Sequence, residues 1–177
     1  MYAYDDIGEM SLTAIRRLND AGIPCVVLTK GLLPHDLTEQ PKVNSYGITL
    51  ISLDERYRME AEPGAAPLAE RIGALKGLHE DGNATWVSME PYLTPSVIDQ
   101  DILEVLESIS FVDRIVFGRT NYNRFVSSFP NAKAWYADQA RTVMAWCAQR
   151  GIDCHIKKGT LPKDESTHKN VSVLAGA

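Results

Sequence analysis

Cysteine is scarce in this 177-residue chain: Cys25, Cys147 and Cys154 are odd in number, widely spaced and set in apolar surroundings. None of them forms a close pair of the kind found in a zinc knuckle, a thioredoxin-like redox couple or an iron–sulfur ligand run. A disulfide scaffold is therefore excluded, and buried thiols in a reducing compartment are expected. No apolar run reaches the length of a membrane span, and the first residues carry neither a basic start nor an apolar signal core, so the cytoplasm is the expected location. The formal charge of -5 excludes a grip on nucleic acid by bulk phosphate neutralisation, although it leaves room for a local basic rim. His35, His79, His155 and His168 stand alone without ligand spacing, and no metal site is expected from them. There is no serine in a nucleophile elbow and no glycine-rich phosphate loop after the first strand.

What is present is an ordinary soluble composition, 45% apolar and 23% charged, in a length that suits one domain with a substantial core. Residues 84–95 organise the rest. Trp86 and Val87 suit a packed pleated surface, Pro91 and Pro95 are expected to stop the strand, and Glu90 falls at its carboxyl end. The same unit of apolar run, polar exit, loop and helical pattern recurs along the chain. A polar lead-in, residues 1–8, precedes a helix over 11–20. Strands are expected over 23–28, 46–53, around Trp86, over 114–117 and over 152–156. Helices are expected over 68–79, 97–108 and 132–149, and a long charged loop over 54–67. Residues 1–160 form the expected domain and 161–177 a polar tail. The fold class is α/β, with parallel strands and helical crossovers. Periodicity leaves both an eight-unit barrel and a doubly wound sheet open.

Parallel strands gather their carboxyl ends at one edge, the usual place for ligands in such folds. The residues reaching it are Lys30, Thr49, Ser52, Glu90, Arg119, Asn121, Asn123, Lys157 and Lys158. This mixed-sign ring suits a zwitterionic, hydroxyl-bearing ligand better than a purely anionic one. Lys30 suits a carboxylate, Thr49 or Ser52 a hydroxyl, and Glu90 an ammonium or a sugar hydroxyl. The plainer account is that polar residues end buried strands because the chain has reached water. Trp135 and Trp146 have core spacing on a helix, and Glu60 with Glu62 reads equally well as an acid–base pair or a solvated loop face.

The run GIPCVVLTK at 22–30, then TLISLD at 49–54 followed by Arg58 and by Glu62-Pro63-Gly64, and the helix bearing Glu70 and Arg71, resemble radical S-adenosylmethionine enzymes of the spore photoproduct lyase type. Residues 86–95, 113–123 and 155–159 resemble uncharacterised proteins of that superfamily. The resemblance implies a partial, open TIM-barrel-like fragment of a (β/α)6 barrel, whose strands here are the fourth and later ones. It implies that Lys30 contacts the methionyl carboxylate of S-adenosylmethionine, that Thr49 lies near the ribose, that Glu62 and Arg71 brace the pocket, and that Glu90 faces the interior. Ser52, Arg119 and Asn121 complete the expected cofactor set. The family's Cys-x3-Cys-x2-Cys loop is missing. The expectation is therefore the C-terminal part of such an enzyme, inactive alone, with a [4Fe–4S] cluster only in a longer protein. The alternative is a non-catalytic half-barrel that binds or assembles. An open barrel edge implies a homo-oligomer or a covering N-terminal half as partner.

Overall fold

The computed structural model describes residues 5–121 and 124–162. Asn123, His168 and nearly all of the expected tail lie outside the described residues. In chain order, helix α1 (Asp5–Asp20) leads to strand β1 (Val26–Thr29), a 3-10 turn (His35–Glu39) and β2 (Ser45–Thr49). Helices α2 (Glu55–Ala61) and α3 (Leu68–Glu80) precede β3 (Ala84–Tyr92), and α4 (Ile102–Ser108) precedes β4 (Arg114–Arg119). Helices α5 (Arg124–Ser127) and α6 (Ala132–Arg150) then lead to β5 (Asp153–Ile156).

The five strands form one sheet in the order β1-β2-β3-β4-β5, every pair parallel. A doubly wound sheet reverses direction at a switch point; this one never does, so it is an open, unclosed barrel-like arrangement. One face is packed against helices and carries Tyr46, Ile48, Val87, Met89, Ile115 and Phe117, all fully buried, with Leu75, Val143 and Cys147 opposite them. The register sets the other, concave face in layers, as in a barrel interior. Leu28, Gly47, Trp86, Arg114 and Asp153 form one layer. Thr49, Ser88, Val116 and His155 form the next, with Lys30 reached by continuing β1 one residue. Glu90, Gly118 and Lys157 stand above them.

Several element boundaries differ from expectation. The expected lead-in already belongs to α1 from Asp5. The 54–67 loop contains α2, started by the Asp54 side chain, which accepts from the backbone N–H groups of Arg56 and Tyr57. None of its residues is buried, so no apolar period announced it. The helix expected from 97 begins at Ile102, where Asp101 accepts from the Leu103 N–H at 2.9 Å. Strand β3 continues through Pro91 to Tyr92. It does so because the register to β4 shifts between Met89 and Tyr92, and a proline is tolerated where the ladder is interrupted.

Candidate functional site

At the carboxyl edge the first half of the site is built around Arg71, whose side chain is 1% exposed. Its Nε donates to the Ala66 carbonyl at 2.9 Å, Nη1 to the Thr49 carbonyl at 2.9 Å, and Nη2 to Glu62 Oε2 at 3.1 Å. A guanidinium so deep in the protein is tolerable because each of its nitrogens has an acceptor and its charge a carboxylate. The other oxygen of Glu62, Oε1, stands 2.7 Å from Lys30 Nζ without a well-formed hydrogen bond. Lys30 therefore has its charge compensated while it keeps donors for another acceptor. The Lys30 carbonyl accepts from the Ala66 N–H at 2.9 Å, which fastens the loop before α3 to the end of β1.

The second half lies across β3, β4 and β5. Glu90 Oε2 is 3.1 Å from Lys157 Nζ, both partly exposed. A Cβ on Gly118 would stand 2.9 Å from the Glu90 carboxyl carbon, so the glycine gives that side chain its path across β4. The end of β3 is pinned through the Tyr92 carbonyl, which accepts from Thr120 Oγ1 at 2.6 Å and from the Tyr136 hydroxyl at 2.7 Å. Burial pushes the Tyr92 phenol well above its ordinary range.

The expected ring is thus brought together only in part. Lys30, Thr49, Glu62, Arg71, Glu90 and Lys157 share the carboxyl edge. Ser52 is buried, and its Oγ accepts from the Asp54 N–H at 2.9 Å, in the turn that leads to α2. Arg119 alternates with Gly118 and so falls on the side of Phe117; its guanidinium lies beside Gly159, with Nη2 3.6 Å from where a Cβ would be. Asn121 is exposed in the following loop. Sequence reasoning missed Gly118, read as a turn residue, and the concave placement of Trp86 and His155. Only strand register shows which face they occupy.

The three cysteines do not suit a [4Fe–4S] cluster. Cys25 stands at the amino end of β1, and Cys147 and Cys154 lie on the helix-covered face. The hydrogen bond with Cys147, and then burial, push the Cys154 thiol up, which opposes the thiolate a metal needs. Among the described residues no group of three or more His, Cys, Asp or Glu could hold a metal ion. No described helix is long and apolar enough to cross a membrane.

No family model matches the chain, and no curated protein matches it. Among solved structures, Streptococcus suis SuiB bound to S-adenosylmethionine matches with a TM-score of 0.59 at 14% identity, over 88% of this chain and 35% of that one. SuiB bound to the precursor peptide SuiA matches with the same TM-score and identity, over 36% of its length. The chain thus spans about a third of SuiB, and at this identity the likeness shows the fold. That finding corrects the expectation of a C-terminal part of a spore photoproduct lyase-like enzyme.

Proposed function

We propose that the chain is a barrel-core domain that binds S-adenosylmethionine at the carboxyl edge of its sheet, as part of a radical S-adenosylmethionine enzyme. The observation that carries this reading is Lys30, held at the end of β1 by a carboxylate that Arg71 in turn holds, with its side chain still 44% exposed. A cation positioned in this way suits the methionyl carboxylate of the cofactor. Thr49, one strand over in the same layer, suits the ribose, and Glu90 faces the interior between cofactor and substrate. Bound there, the cofactor would supply a reactive sulfonium; this chain's own residues hold and orient it. The likeness to SuiB bound to S-adenosylmethionine supports the choice of ligand. Since the cysteines do not suit a cluster, no electron-transfer step is assigned to this chain.

The concave face also suits a covering partner. Among the described residues β1 pairs only with β2, and Val26 and Leu28 on that face are 63% and 47% exposed. Apolar side chains at an open sheet edge favour association, by a second copy or a completing segment.

Isothermal titration of the folded full chain with S-adenosylmethionine tests the ligand assignment. Saturable binding that weakens on Lys30→Ala is expected. A folded chain that gives no binding heat, confirmed by equilibrium dialysis, overturns the reading.

A further inference from the structure

Elsewhere in the described residues, each arginine that is buried or half-buried has a carboxylate partner: Arg58 has Glu55, Arg71 has Glu62 and Arg114 has Asp153. Arg119 is also half-buried and has none among the described residues. Acids are not scarce, since the chain holds 23 of them against 18 lysines and arginines. The Arg119 main-chain N–H donates to Thr160 Oγ1 at 3.3 Å, but its guanidinium reaches no described acceptor, and Nε is fully buried. A partly desolvated charge without compensation is unfavourable, and this one stands at the carboxyl edge of a parallel sheet, where ligands gather.

The turn after β5 shapes the place. The Lys157 N–H donates to the Phe117 carbonyl at 2.8 Å, which carries the ladder to the rim. The chain then turns back, with the Thr160 N–H donating to the Lys157 carbonyl at 3.1 Å and Gly159 at a φ of 84°, a conformation that favours glycine. The guanidinium lies against this glycine. Nη2, Nε and Cζ are 3.6, 3.8 and 3.9 Å from where a Cβ would stand, and Nη1 is farther away. The turn thus covers the Nε edge, while Nη1 and Nη2 are not sealed off as Nε is. Lys157 is neutralised by Glu90, whereas Lys158, exposed in the same turn, has no carboxylate partner among the described residues.

A planar fork with an ammonium on the adjoining turn suits an oxyanion, phosphate or carboxylate, held by paired charge-assisted hydrogen bonds. Lys30 is three strand spacings away, on the order of 14 Å, so one such group does not reach both cations. We infer that Arg119, with Lys158, is an anion anchor that takes a phosphate or carboxylate group of the substrate at the rim between β4 and β5. The assignment to the substrate rests on the reading that Lys30 holds the carboxylate of S-adenosylmethionine. The anchor itself rests on the geometry of Arg119.

Titration of the full chain with inorganic phosphate and, separately, with acetate tests it. The readout is the Arg119 Nε–H signal in 15N-resolved NMR spectra, assigned by triple-resonance experiments, with chloride at matched ionic strength as the control. The signal is expected to move saturably with phosphate or acetate, and the one that saturates at lower concentration names the group. Lys158→Ala should weaken that anion about two- to fivefold, the scale of one exposed charge. Unchanged affinity in that variant would overturn the part given to Lys158. A signal that stays in place with both anions, or moves alike with chloride, would overturn the anchor. Saturating S-adenosylmethionine should leave the anion response in place; its loss would assign Arg119 to the cofactor and overturn the substrate assignment. An anion response at Arg119 in a chain that gives no heat with S-adenosylmethionine would overturn the cofactor reading and support the anchor.

Discussion

The Arg71 guanidinium donates to the Thr49 carbonyl from α3 to the last residue of β2, and the same side chain holds Glu62 against Lys30. One buried cation thus ties a helix, a strand end and the loop between them to Lys30, the residue proposed to meet a ligand. The fold and the site are coupled through it.

Arg71→Met should destabilise the chain by about 3–5 kcal/mol, because it leaves Glu62 partly desolvated and three acceptors short of a donor. Chemical denaturation checks this. Adding Glu62→Gln should recover part of the loss, which a double-mutant cycle would read as coupling.

Lys30→Ala separates binding from stability. Glu62 keeps its Arg71 partner, so the denaturation midpoint should move little. Affinity for S-adenosylmethionine, measured by titration, should fall roughly tenfold or more, the scale of a charge-assisted hydrogen bond.

Gly47→Ala and Gly118→Ala should differ, although both place a methyl group in a crowded position. At Gly47 the obstacle is the rigid Trp86 ring, and a loss of about 1–3 kcal/mol in urea denaturation is expected. At Gly118 it is the flexible end of Glu90, and the loss should be smaller.

Stability should fall in alkaline solution. The Tyr92 phenol is raised from 10.0, chiefly by burial, and Tyr46 is raised for the same first reason. Above about pH 10 the unfolded chain releases these protons and the folded chain keeps them, so the stability they contribute is present below that pH and declines as pH rises. Denaturation midpoints measured from pH 8 upward should show the decline, and Tyr92→Phe should flatten it.

Val26→Lys combined with Leu28→Lys should lower the molar mass seen by light scattering if a second copy covers the concave face. An unchanged, monomeric mass in both proteins would overturn a second copy as the partner.

Much of the fold was legible in the chain because alternating apolar runs and amphipathic segments are local signals. The strand around Trp86, the long final helix and the parallel layout follow from them. The short helix after Asp54 was not legible, since it buries no residue, and neither was the passage of β3 through Pro91, since that depends on a shifted register with β4. At the carboxyl edge, the positions of Lys30, Thr49 and Glu90 were legible as polar strand exits. Ser52 and Arg119 looked equivalent to them, yet one accepts from a turn N–H and the other lies beside Gly159.

By itself the sequence determined that this is an α/β chain whose five apolar runs end in polar residues, because burial and propensity act over a few residues at a time. Only the tertiary structure decided that the strands follow one another without reversal, that Gly118 gives way to Glu90, and that Lys157 meets it. Those facts depend on hydrogen-bond register between strands, which joins residues far apart in the chain and leaves no mark within any one segment.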